Sequence, residues 1–167
     1  MKFNRKIAPD TKPKPNFVTK KRLREDEINF DKLRSYRLDR VKKELEKNNL
    51  EACILFDPVN VRYALDTTNM SIYNMHNLTR YCFIPVNGPV ILYEYFNCEE
   101  LASHLNLINE IRPAITWDYF SNGDQANFQL EKWINEVKDL TNSYCKSKKL
   151  AIDVLNGPAV TALNKAG

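Results

Sequence analysis

Apolar residues recur every three to four positions in "DKLRSYRLDRVKKELEKNN", where Leu33, Tyr36, Leu38, Val41 and Leu45 form one stripe among charged neighbours. That spacing predicts an amphipathic helix, with Asp31 able to cap its start and Asn48-Asn49 able to end it. The pattern then changes. "EACILF" is a continuous apolar run of strand length, closed by Asp57-Pro58, since proline donates nothing to a ladder and restricts the residue before it. "VNVRYAL" predicts one or two helical turns. "YCFIPV" and "PVILYEYF" flank Asn87-Gly88, a dipeptide suited to the positive backbone angles of a two-residue turn, so residues 80–96 are predicted to be an antiparallel hairpin. Farther on, "CEELASHLNLI" reads as helix, "AITWDYF" as strand, "DQANFQLEKWINEVKDLTNSYC" as a long helix, "KLAIDV" as strand and "PAVTALNKAG" as the start of a helix. This order predicts an α/β fold with a mixed sheet of about five to six strands, a β-hairpin and flanking helices.

One stretch has neither period. Between "LFDPVNVRYAL" and the hairpin lie about a dozen residues rich in Asn, Thr and Met, with one His. The plain expectation is a connecting loop, with Arg62 paired to Asp57 or Asp66 and His76 exposed. Long ordered loops in small domains are also commonly contact surfaces, and an amide, aromatic and imidazole content suits binding better than catalysis.

Composition narrows the function classes. The chain has 167 residues, enough for one domain with a real core, and a formal net charge of +4. Lys2, Arg5, Lys6, Lys12, Lys14, Lys20, Lys21, Arg22 and Arg24 supply that excess, so residues 1–28 predict a flexible basic arm and 29–167 a folded domain. Beyond the arm no basic cluster interleaves with aromatics, which argues against nucleic acid. No run approaches the roughly 18 apolar residues of a membrane span, and no apolar segment follows the basic start as in a secretory signal. The simplest address is the cytoplasm, without a membrane partner. Cys53, Cys82, Cys98 and Cys145 are widely spaced and predict reduced core thiols.

The chemical inventory is thin. Four glycines lie far apart, which excludes a glycine-rich phosphate loop. His76 and His104 are isolated from other ligand-type residues, predicting no metal bound by this segment. No nucleophile motif is present, and Trp117 and Trp133 fall in periodic segments suited to core packing.

Several ordered blocks nevertheless carry a resemblance. "LFDPVNVRYALDTTNM", "HNLTRYCFIPVNGPVILYEY", "INEIRPAITWDYF" and "KLAIDVLNGPAVTALNKAG" resemble the N-terminal domain of the creatinase, prolidase and Xaa-Pro aminopeptidase superfamily, over about Leu33 to Gly167. The resemblance implies a small α/β domain with a mixed, mostly six-stranded sheet. It also implies a following catalytic domain of pita-bread fold, in which Asp, His and Glu ligands hold two divalent metal ions. None of those ligands falls in these residues, so the chain looks truncated, with no catalytic residue, cofactor or metal of its own.

In such relatives the N-terminal domain supplies homodimer contacts, and its loop reaches toward the partner subunit's active site. Tyr73, His76 and Arg80, with Arg62 second, would then be substrate-binding residues on the lip of a pocket for a small peptide or other small molecule. The implied function is the non-catalytic dimerisation and substrate-lip domain of a Xaa-Pro peptidase-like dinuclear metallohydrolase. The same wording also resembles the branch of metal-dependent dimethylsulfoniopropionate lyases, whose loop carries a Trp where Tyr73 stands here. A stand-alone binding or dimerisation module is the third expectation.

Overall fold

The computed structural model describes residues 28–167. The expected basic arm, apart from Ile28, lies outside the described residues. Helix α1 (Phe30–Lys47) forms on the predicted stripe and turns Leu38 and Leu45 inward. Its N-cap is Asn29, not Asp31: the Asn29 side chain accepts from the Lys32 backbone N–H at 2.8 Å. Asp31 sits in the first turn, where a carboxylate complements the helix dipole. Strand β1 (Ala52–Leu55) follows, and then helix α2 (Pro58–Leu65), with Asp57 as its side-chain cap and Pro58 in its first turn. Helix α2 ends at Asp66, whose carboxylate accepts from Arg34 Nε at 2.8 Å and so ties α2 to α1.

The stretch expected as a loop contains a six-residue helix, α3 (Ser71–His76). Strands β2 (Tyr81–Pro85) and β3 (Ile91–Glu94) then pair antiparallel, as predicted, but not through a two-residue Asn-Gly turn. Five residues connect them, and Gly88, at φ 136°, has Tyr144 packed against it. The difference shifts the register by one. A tight turn at Asn87-Gly88 would set Arg80 opposite Tyr95, whereas the observed pairing of Tyr81 with Tyr93 sets Arg80 opposite Glu94. A one-residue slip moves every side chain to the other face of a strand.

Two further expectations differ. "CEELASHLNLI" forms only a short 3₁₀ turn (Glu99–Ala102) followed by turns. Strand β4 is Glu110–Pro113, ahead of "AITWDYF"; the latter holds irregular chain with Trp117 in the core and the start of helix α4 (Tyr119–Asn122). Helix α5 (Ala126–Tyr144), strand β5 (Leu150–Ile152) and helix α6 (Gly157–Ala166) stand where predicted.

The five strands form one mixed sheet in the order β4-β3-β2-β1-β5, with β3–β4 and β1–β5 parallel. Alternation along β1 and β2 builds a core on each face. Ile54, Tyr81, Phe83 and Tyr93 pack with Trp117 and with Trp133 and Val137 of α5. Cys53, Cys82, Ile84 and Leu92 pack under Leu38, Leu45, Val61 and Leu65 of α1 and α2. The sheet is thus covered on both sides, and the segment between α2 and β2 crosses one end of it.

Candidate functional site

Charge inside the sheet marks this end of the molecule. Arg80 and Glu94 are almost wholly buried, at 2% and 0% side-chain exposure, and Arg80 Nε donates to Glu94 Oε2 at 2.8 Å. A second guanidinium nitrogen of Arg80 donates to Thr67 Oγ1 at 2.9 Å. The other oxygen of Glu94 accepts from Asn69 Nδ2 at 3.0 Å and from the Tyr95 backbone N–H at 2.9 Å. Buried charges persist in proteins when paired and hydrogen-bonded in this way. The network continues through Asn74, whose amide nitrogen donates to the Asn69 carbonyl at 2.6 Å and whose amide oxygen accepts from Tyr95 Oη at 2.7 Å. Thr79 Oγ1 donates to the same amide oxygen at 3.1 Å. Burial raises the Tyr95 phenol above its ordinary value, against the opposing effect of the Thr79 hydroxyl 2.9 Å away, so it stays a donor at neutral pH.

Above this base the surface is apolar and uncharged. Met70, Ile72 and Met75 of the α3 segment are 53, 79 and 64% exposed, and Phe96 just past β3 is 77% exposed. Tyr73 lies against Tyr95 with ring centroids 6.3 Å apart. Met70, Tyr73, Tyr95 and Phe96 line an open cleft of about 330 Å³ that reaches Thr116, before α4, and Ser121 on α4. Tyr119 and Phe120 of α4 extend the apolar surface beyond it. On the other flank of α3 a second depression of about 540 Å³ includes Ile72, Tyr73 and His76. Aromatic and Met side chains without charges are the composition of the centre of a binding interface.

The sequence-predicted residues separate into three groups. Tyr73 and His76 lie on α3 and line the rim. Arg80 lies beneath it, buried, where it meets Glu94 and Thr67 and not a ligand at the surface. Arg62 is exposed on α2, and the carboxylates expected to pair with it are engaged elsewhere: Asp57 caps α2 and Asp66 binds Arg34. His104 is exposed in the turn after residues 99–102, and Trp117 and Trp133 are core residues, their rings 4.5 Å apart. Sequence reasoning missed Glu94, Asn69, Asn74, Tyr95 and Phe96. The signal available was Glu94 itself, a lone charge inside an apolar strand.

Among the described residues, no group of three or more His, Cys, Asp or Glu is arranged to hold a metal ion. The donor set here therefore does not fit the metal pair that the resemblance implies. Burial pushes the Cys53 thiol up to about 12 and Cys82 well above its ordinary value, which keeps both protonated. No described helix is long and apolar enough to cross a membrane. Two other grooves lie between α1 and the β1–β5 pair, of about 440 Å³, and between α5 and α6, of about 890 Å³.

No protein-family model matches the chain. Among curated proteins it is 28% identical over 139 residues to the dimethylsulfoniopropionate lyase DddP of Roseovarius nubinhibens, covering 83% of this chain and 31% of that protein. It is 29% identical over 136 residues to the DddP of Roseobacter denitrificans, covering 81% and 30%. The chain thus spans about a third of the length of these relatives. Among solved structures, an Xaa-Pro aminopeptidase from Streptococcus pyogenes superposes with a TM-score of 0.54 at 12% identity, covering 81% of this chain and 85% of that one. An Xaa-Pro dipeptidase from Bacillus anthracis gives 0.53 at 15% identity, covering 79% and 31%. The chain is thus similar in sequence to DddP lyases over about a third of their length, and it shares its fold with Xaa-Pro peptidase structures.

Proposed function

We propose that this chain is the non-catalytic recognition and dimerisation domain of a larger metal-dependent enzyme of the creatinase, prolidase and Xaa-Pro aminopeptidase superfamily. The observation that carries the reading is the uncharged rim of Met70, Ile72, Tyr73, Met75 and Phe96 on a fully bonded polar base. Residues that bind from a rigid support lose less freedom on binding, and a rim of aromatic and thioether groups suits the closure of a pocket shared with another subunit or domain. Tyr73 and His76 are the contact residues of this lip. The described residues hold no ligand cluster, so no metal-dependent step is assigned to them.

The chemistry of the whole enzyme has two readings. The curated relatives are named as dimethylsulfoniopropionate lyases, and that favours an elimination that releases dimethyl sulfide, with the Tyr73 ring face available to a cationic sulfonium. Hydrolysis of Xaa-Pro peptides by a dinuclear metallohydrolase is the second reading, favoured by tyrosine in place of the lyase-type tryptophan at position 73. The complete native protein, assayed for dimethyl sulfide release and for Xaa-Pro dipeptide cleavage, with its metal content and solution mass measured, separates them. Release of dimethyl sulfide by a metal-containing dimer is the expected result. Dipeptide cleavage alone would select the second reading. A monomer of about 19.5 kDa with neither activity would leave the stand-alone binding module.

A further inference from the structure

Arg80 reaches no surface, yet the hydrogen bonds that start at its partner run without a break to the underside of α3. We infer that Arg80, Glu94, Asn74, Thr79 and Tyr95 are positioning residues that hold α3 and its exposed rim in one pose, an inference that rests on the rim being a recognition surface.

Helix α3 does not hold itself. It has six residues and starts from Met70 in the left-handed region (φ 39°, ψ 50°), with no side-chain cap at that end; at the other end Asn77 Nδ2 donates to the Tyr73 carbonyl at 3.2 Å. Helices so short do not persist in water alone, and a methionine in that backbone region is strained. Strain of this kind survives only where the surroundings over-determine the conformation.

The surroundings supply two anchors. Asn69, just before the helix, holds Glu94 Oε1 through its amide nitrogen, while Arg80 occupies the other carboxylate oxygen. Asn74, in the buried face of the helix, is gripped by Tyr95 Oη and Thr79 Oγ1. The Asn74 amide nitrogen joins the two anchors by donating to the Asn69 carbonyl. Any rotation of α3 that buried Ile72 or Met75 would break the Asn74 bonds and leave buried donors and acceptors unpaired, the outcome that folded chains avoid most strongly. The apolar side chains therefore stay outward, ready for a partner surface.

Hydrogen exchange on the intact protein tests the inference with Thr79→Val, which keeps the shape and removes the hydroxyl, beside Thr79→Ser, which keeps the hydroxyl. In Thr79→Val the amides of residues 74–77, the ones bonded along α3, should exchange roughly fivefold to tenfold faster, the scale of one lost buried hydrogen bond. Amides of β1 and α5 should change less than about twofold, and Thr79→Ser should restore protection of α3. Tyr95→Phe should reproduce the local loss and carries the test if Thr79→Val does not fold. Unchanged α3 exchange in both variants, equal loosening of α3 and β1, or no restoration by serine would overturn the inference. No substrate enters the measurement, so its failure is distinct from failure of the lyase or peptidase reading.

Discussion

Arg80→Met is the sharpest test of how the sheet end is held. The substitution keeps an unbranched side chain of similar length and removes the charge from a site at 2% exposure, facing a carboxylate at 0%. Breaking a buried ion pair from one side costs about 3–5 kcal/mol, because the remaining charge stays desolvated. Glu94 would retain two donors, Asn69 Nδ2 and the Tyr95 N–H, which puts the expected loss near the lower bound, about 3 kcal/mol. A domain of ordinary stability has roughly 5–15 kcal/mol in total, so the variant should fold with a midpoint lowered by about 6–12 °C. Urea titration with an unchanged slope, read beside a thermal scan, gives the number. Adding Glu94→Gln to Arg80→Met should then cost less than the two single losses combined, by about 1–3 kcal/mol, since the neutral amide no longer needs a counter-charge. A single-variant loss below about 1 kcal/mol, the range of exposed pairs, or strict additivity in the cycle would refute the account of a desolvated, coupled pair.

Other outcomes follow from the same geometry. His76→Ala in the complete enzyme should lower turnover by roughly fivefold to tenfold while shifting the melting temperature by less than about 1 °C, because the ring is exposed; unchanged turnover or a large thermal loss would count against the lip. A thiol reagent at pH 8 should modify Cys98 in the native protein, while Cys53, Cys82 and Cys145 wait for denaturant, since they are buried and Cys98 is half-buried. Rapid native labelling of Cys53 or Cys82 would show that the sheet opens more readily than its packing implies. Cys53 and Cys82 also make stability fall as pH rises from about 9: the unfolded thiols ionise there while the folded ones stay protonated, Cys53 up to about 12. A urea midpoint that is flat or rising between pH 9 and 11 would contradict that sign. Gly88→Ala should cost about 1–3 kcal/mol, because φ is 136° and a Cβ would lie 2.7 Å from the Tyr144 ring; a neutral effect would mean that the 86–90 connection relaxes freely.

Much of the architecture was legible in the chain itself. The stripe of α1, the long period of α5, and the runs of β1, β2, β3 and β5 determine their own elements, because a helix buries one face every 3.6 residues and a strand alternates or stays apolar throughout. The ordered motifs were enough to indicate the superfamily resemblance. Tertiary structure decided the rest. "AITWDYF" has strand composition, yet Glu110–Pro113 pairs with β3, and Trp117 is spent on the core beside Trp133. The polar stretch became helical, although its local sequence gives α3 no N-terminal side-chain cap, because Asn69 and Asn74 found partners brought from β3 and its end.

Residue type alone made Tyr73, His76 and Arg80 candidates alike; that Arg80 is buried while Tyr73 and His76 lie at the surface could not be read from it. The position of Arg80 was decided by the register of β2 on β3, which a five-residue connection sets one step away from the pairing that Asn87-Gly88 suggests. That step puts Arg80 across from Glu94 and not Tyr95. Sequence by itself determined which segments were apolar, periodic or chemically bare, since those properties belong to neighbouring residues. Only the tertiary structure decided which polar side chains are buried together, because desolvation and pairing arise between residues that are far apart in the chain and meet at a single register.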